Sequence, residues 1–164
     1  MDTIRFKNDT GMRRRFFSDE SFSHPAKLHG GLFLEIMERY TAPGELILDV
    51  MGGIGTALLA TMYGRHVCIC ELESHFLDTI PKSWAKIRQH GPALGHAMGE
   101  AYWLRGDARH LPIASADAII TSPPYEVDKP GLPSGTGAVV GQHGHGYTRP
   151  QVDAIVSSPP YEGI

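Results

Sequence analysis

Leu46-Ile47-Leu48-Asp49-Val50-Met51-Gly52-Gly53-Ile54-Gly55-Thr56 is the stretch that decides the fold. Residues 46–50 form a short apolar run of the length of a buried strand. The run carries an acid near its end and passes directly into glycines, where a backbone without Cβ atoms can turn tightly and approach a ligand. The segment lacks the Lys-Ser/Thr ending of a phosphate-binding loop, and its glycines do not follow the usual dinucleotide spacing. Read alone, it predicts a strand followed by a ligand-facing turn and does not name the ligand.

Upstream, Leu32, Phe33, Ile36, Met37 and Tyr40 recur at helical spacing, and Thr41-Ala42-Pro43-Gly44 stops that helix. Downstream the pattern predicts a helix over 56–63 ended by Gly64, then a strand over 66–70 closing on Glu71. A helix over 75–89 follows, with an irregularity expected at Pro81. After a glycine-rich loop come a strand over 101–104, ending at Gly106-Asp107, and a strand over 117–121 stopped by Ser122-Pro123-Pro124-Tyr125. Strands alternating with helices imply an α/β fold with a parallel, doubly wound sheet. Such sheets bind ligands at the carboxyl ends of their strands.

Composition sets the outer bounds. A chain of 164 residues, 41% hydrophobic, suffices for one domain with a core. The formal net charge of -3 gives no general basic surface for phosphate contacts, so any grip on nucleic acid is expected from another domain or subunit. Residues 1–20 are polar and charged, and read as a flexible basic segment around Arg13-Arg14-Arg15; residues 21–164 read as the domain. Cys68 and Cys70 are expected to stay unbridged. With no signal peptide and no apolar run of membrane-spanning length, a cytoplasmic protein is expected. His143 and His145 lie in a Gly- and Pro-rich stretch over 129–146. Without nearby Cys or a helical framework, this reads as a mobile loop and not as a metal site.

Three successive strand ends deliver acids: Asp49, Glu71 and Asp107. Glu71 follows the glycine turn by about twenty residues, where a carboxylate can accept both hydroxyls of a ribose. Glu73 competes for that role, but reads better as a solvated residue at a helix start. Asp107 can accept a hydrogen bond from an adenine amino group. Together the acids form a nucleoside-binding pattern.

The fourth strand end is the most specific signal. Ser122-Pro123-Pro124-Tyr125 resembles the catalytic tetrapeptide of the amino-methyltransferases, Asp/Asn/Ser-Pro-Pro-Tyr/Phe/Trp. An exocyclic amine is a poor nucleophile because its lone pair is delocalised into the base. Acceptors at Ser122 and the Pro123 carbonyl can bind the amino hydrogens and favour a pyramidal nitrogen. Pro123 and Pro124 fix the backbone, and Tyr125 offers a face for a base taken out of the duplex.

The resemblance extends beyond the tetrapeptide. Asp49-Val-Met-Gly-Gly-Ile-Gly-Thr56 is similar to that family's cofactor motif, Asp-Pro-Phe-x-Gly-x-Gly-Thr, with Asp49, Gly53, Gly55 and Thr56 matching and Val50 in place of the proline. Ser23-His24-Pro25-Ala26-Lys27 resembles the segment that packs on the cofactor's methionine end, and Gly106-Asp107-Ala108-Arg109 has the family's spacing to the tetrapeptide. The resemblance implies a Rossmann-like class I methyltransferase domain that uses S-adenosyl-L-methionine. It implies His24, Pro25, Asp49, Met51, Gly53, Gly55, Thr56, Glu71 and Asp107 at the cofactor and Ser122 to Tyr125 at the base, with no metal. Motif order resembles the arrangement in which target recognition lies carboxyl-terminal.

Two departures stand out. The family's core has seven strands and about five are countable here, so a partial domain is expected, with the later strands and recognition supplied by a missing half or a second subunit. The segment Asp117-Ala-Ile-Ile-Thr-Ser-Pro-Pro-Tyr-Glu126 also returns as Asp153-Ala-Ile-Val-Ser-Ser-Pro-Pro-Tyr-Glu162. Spacing from Asp107 favours the first copy as catalytic. The second is then a degenerate duplicate or a neighbouring strand end that shapes the base pocket; the reverse assignment stays open. The expected reaction is methylation of an exocyclic amino group in DNA, cytosine ahead of adenine because serine leads the tetrapeptide. The alternatives are an RNA or protein-amide substrate and a non-catalytic, cofactor-binding subunit.

Overall fold

The computed structural model describes residues 5–24, 27–111 and 113–121, together with the backbone of 154–157. Five strands, β1 (Leu46–Asp49), β2 (His66–Glu71), β3 (Ala101–Arg105), β4 (Ala118–Thr121) and β5 (Ala154–Ser157), form one parallel sheet in the order β3-β2-β1-β4-β5. The chain winds outward from β1 through β2 to β3, then returns to the other flank of β1. That reversal opens a crevice beyond the carboxyl ends of β1 and β4. Asp117 fixes the return: its carboxylate accepts from the Leu46 N–H at 2.7 Å, and its own N–H donates to the Leu46 carbonyl at 3.0 Å.

Alternation along each strand divides the core between two faces. Ile47, Val67, Ile69 and Ile120 pack with Phe33 and Met37 of α2 (Gly30–Tyr40), Leu58 and Leu59 of a 3₁₀ helix (Thr56–Tyr63), and Ile80, Trp84 and Ile87 of a later helix. Leu48, Cys68 and Ile119 turn to the opposite face, where Leu104, Leu111 and Ile113 partly cover them. Cys68 and Cys70 are buried free thiols that share one face of β2. The 3₁₀ helix is buried over most of its length, which holds the glycine turn before it firmly against the sheet.

Two regions depart from the sequence expectations. The helix predicted over 75–89 is two helices, α3 (Ser74–Leu77) and α4 (Ile80–His90). Pro81 opens α4 instead of disturbing its interior, because the first N–H groups of a helix have no partner within it.

The flexible basic segment is replaced by docked structure. Residues Thr10–Phe16 form α1, and Phe17 behind it is fully buried. Arg13 is also buried: it pairs with Asp9 at 2.8 Å and donates to the Leu28 carbonyl. Asp9 in turn accepts from the Gly30 N–H at 2.8 Å. The Phe17 carbonyl accepts from Lys86 at 2.6 Å, and the Ser18 N–H donates to Ser83 at 3.0 Å, both on α4. Apolar Met12, Phe16 and Phe17 supply the packing that the local charge density disguises.

The copies of the repeated segment lie side by side. Ala118 pairs with Ala154, Ile119 with Ile155, Ile120 with Val156 and Thr121 with Ser157, so equivalent residues stand opposite each other. Residues 122–153 and 158–164, including both Pro-Pro-Tyr corners and the histidine loop, lie outside the described residues. Among the described residues no helix is long and apolar enough to cross a membrane.

Truncating Phe17 tests the docked amino-terminal segment. Phe17→Ala is expected to lower unfolding stability by about 3–5 kcal/mol in urea titrations. A loose tail would give a change below about 0.5 kcal/mol.

Candidate functional site

The glycine turn after β1 is bent by backbone geometry that ordinary residues resist. Gly53 and Gly55 adopt φ of +49° and +80°, in the left-handed region where a Cβ is strained. The Gly55 N–H returns to the Gly52 carbonyl at 2.7 Å, and the Gly52 N–H bonds the Cys70 carbonyl at 3.0 Å. A side chain on Gly53 would also stand 3.2 Å from the His24 ring. The turn is therefore pinned to the end of β2 and faces the segment before α2.

Glu71 makes the second tie. One carboxylate oxygen accepts from the Gly53 N–H at 2.6 Å and the other from the Glu73 N–H at 2.8 Å. Each oxygen keeps one further lone pair. The carboxylate thus has a fixed orientation and remaining capacity for two donors.

Asp49, at the end of β1, is buried and accepts from the Met51 N–H at 3.2 Å. Burial raises its carboxyl to about 7, and the nearby Glu71 charge adds to the rise; the Met51 N–H and the Thr121 hydroxyl act in the opposite direction. The Thr121 hydroxyl is close enough to favour the charged form but completes no hydrogen bond among the described residues. An acid in this condition is poised to receive a cation.

Asp107, just beyond β3, is different. Its carboxylate is forked by the Arg109 guanidinium, with Nε 3.0 Å from both oxygens and Nη2 2.5 Å from one, while the Arg109 N–H adds a contact at 2.9 Å. Arg109 holds its carboxyl well below the usual carboxylate range.

These elements enclose one cavity of about 570 Å³, a volume suited to a small-molecule ligand. Asp49, Glu71 and Asp107 all line it, as do His24, Met51, Gly53 and Thr56. The predicted cofactor residues therefore converge, apart from Gly55, which shapes the turn behind the wall, and Pro25, which lies outside the described residues. Ser122, Pro123, Pro124 and Tyr125 also lie outside them; they follow Thr121, whose strand flanks β1.

The cavity has walls that the sequence reading did not assign. Lys27 lines it too, and its ammonium donates to the carbonyls of Phe22 and His24. Phe76 of α3 lies against the His24 ring with centroids 4.1 Å apart. Leu72, Glu73 and Arg109 complete the side nearest β3. Glu73, read as a solvated helix-start residue, is both: it precedes α3 and lines the cavity. Among the described residues no cluster suits a metal ion. Burial pushes the Cys70 thiol up to about 11, which keeps it protonated at neutral pH.

Among solved structures, TrmN from Thermus thermophilus superposes with a TM-score of 0.52 at 25% identity, over 70% of this chain and 33% of that one. The fold is that of a Rossmann-like class I methyltransferase. An RNA methyltransferase from Salinibacter ruber in complex with S-adenosyl-L-homocysteine gives 0.47 at 15% identity, over 59% of this chain and 60% of that one. A methyltransferase from Pyrococcus furiosus gives 0.47 at 18%, over 62% and 51%. Scores at that level add no weight. The chain spans about a third of the length of TrmN. No protein-family profile matches the chain, and no curated protein does.

The raised carboxyl of Asp49 has a testable sign. The folded protein holds this proton more tightly than the unfolded chain, so the stabilisation is complete below the unfolded value of 3.8 and is lost as pH rises through about 7. Asp49→Asn, which stays neutral, is expected to gain on the parent as pH rises, with a clearly larger stability advantage at pH 8 than at pH 5 in urea unfolding. An equal difference at both pH values contradicts a buried, proton-holding Asp49.

Proposed function

We propose that this chain binds S-adenosyl-L-methionine in the cavity and directs its methyl group onto an exocyclic amino group of a DNA base, cytosine in preference to adenine. The observation that carries the reading is the convergence of Asp49, Glu71 and Asp107 on one cavity at consecutive strand ends. Their characters match the three polar parts of this cofactor. Asp49, buried and short of a cation, accepts the methionine ammonium. Glu71, fixed by two backbone N–H groups with one lone pair left on each oxygen, accepts the two ribose hydroxyls. Asp107 accepts from the adenine amino group. His24, Met51 and Thr56 border the same space, with Pro25 beside His24 in sequence, and Gly53 and Gly55 let the backbone come close.

When bound, the cofactor supplies a sulfonium methyl open to in-line attack, with a neutral thioether as leaving group. The protein's task is placement and the exclusion of water. Ser122 and the Pro123 carbonyl accept the amino hydrogens, which directs the nitrogen lone pair at the methyl carbon; the methylated nitrogen then carries a positive charge and releases one of its protons to solvent water. Pro124 keeps the corner rigid and Tyr125 stacks on the base. β4, after which this tetrapeptide follows in sequence, pairs with β1, where the winding of the sheet reverses. A protein of net charge -3 with Arg13 buried needs further basic surface to hold DNA, so target recognition comes from another segment or subunit.

Transfer of a labelled methyl to DNA and RNA oligonucleotides tests this reading. Label is expected in DNA, on the cytosine amino group; label in RNA alone rejects the DNA assignment. Tyr125→Ala is expected to lower transfer about a hundredfold or more, and Tyr161→Ala only severalfold. The opposite order makes the second copy the catalytic one.

A further inference from the structure

Arg109 engages both oxygens of the Asp107 carboxylate. Two N–H groups of Arg109 fall on one oxygen, the backbone N–H at 2.9 Å and Nε at 3.0 Å. The other oxygen takes Nη2 at 2.5 Å and shares the same Nε–H at 3.0 Å, so three N–H groups make the four contacts. Both oxygens are thereby engaged on the side that faces the guanidinium. A ligand amino group therefore competes with the guanidinium for the Asp107 oxygens. The backbone contact does not depend on the side chain, so the carboxylate keeps its orientation when the guanidinium moves.

We infer that Arg109 is a tethered stand-in for the adenine amino edge, and so sets the affinity and base selectivity of the Asp107 subsite. A guanidinium and an aminopurine edge are both planar N–H donors, and they compete for one acceptor. The Arg109 side chain is 78% exposed and lies outside the packed core. An exposed ion pair is also weak enough for a ligand to displace. The swap has a selectivity consequence. A hypoxanthine ring presents a carbonyl where adenine has its amine; Arg109 can donate to that carbonyl, whereas a bare Asp107 repels it. With Arg109 present the subsite tolerates both bases, and without it adenine alone fits. This inference rests on the proposed cofactor site.

Calorimetry on the full chain, with S-adenosyl-L-homocysteine, 5′-methylthioadenosine and 5′-methylthioinosine as probes, separates the possibilities. Arg109→Ala is expected to bind the two adenine probes about threefold to tenfold more tightly than the parent. It is also expected to bind the inosine probe more weakly, so that the adenine-to-hypoxanthine preference rises. Arg109→Lys, whose ammonium cannot fork a carboxylate, falls between. Equal or weaker adenine binding in Arg109→Ala, or a parallel change for both bases, overturns the inference while leaving the cofactor site standing. Failure of parent and variant alike to bind S-adenosyl-L-homocysteine overturns the cofactor site, and this inference with it.

Discussion

A single hydrogen bond, from the Gly53 N–H to the Glu71 carboxylate at 2.6 Å, locks the turn after β1 onto the end of β2. Everything proposed for the site depends on that tie. It gives Glu71 one of its two fixed contacts and keeps the glycine turn open towards His24 and Phe76. It also leaves a carboxylate next to Asp49, whose burial and like-charged neighbour together raise its carboxyl. The turn can make this bond because Gly53 takes a positive φ and Gly55 follows with another. Behind it, the buried 3₁₀ helix provides a packed support, so the tie is made without further ordering when a ligand arrives.

Electrostatic economy explains the rest of the cavity. Asp49, Glu71, Glu73 and Asp107 crowd one rim, and each is handled in its own way. Backbone N–H groups hold Glu71, a guanidinium holds Asp107, solvent reaches Glu73, and burial keeps a proton on Asp49 well above the ordinary range. A cationic, hydroxyl-bearing and amine-bearing ligand would answer the three buried or paired acids in turn. The duplicated segment adds a second consequence of simple geometry. Thr121 and Ser157 stand in register on adjacent parallel strands, so the described parts of the two copies align residue by residue. The strand beside β1 belongs to the first copy.

Much of this was legible in the sequence wherever local pattern and tertiary role agree. Short apolar runs ending in acids or glycines located β1, β2 and β3, and those ends supplied the acids of the cavity; the run before Ser122-Pro123-Pro124 located β4. Legibility failed where the decisive partner is distant along the chain. Nothing local in Thr10–Phe16 reveals that Arg13 is buried against Asp9 and Leu28, so a helix that docks on α4 resembled a charged tail. Pro81 signalled a break, but whether it ends one helix or begins the next depends on the turn at Asp78 and Thr79. Lys27 and Phe76 enter the site only through the packing of α2 and α3 around His24. The capture of Asp107 by Arg109 spans two residues, yet its meaning appears only once Asp107 is known to face a cavity.

Amide chemical shifts of the isotopically labelled chain, followed during addition of S-adenosyl-L-homocysteine, address the central claim most directly. The account predicts that Met51, Gly53, Leu72, Glu73 and Ala108 shift together with one dissociation constant, while amides at the opposite ends of the strands, such as those of Leu46 and Ala101, stay in place. Shifts scattered over both ends of the sheet, or none at saturating ligand, would contradict a single nucleoside site assembled at the strand ends.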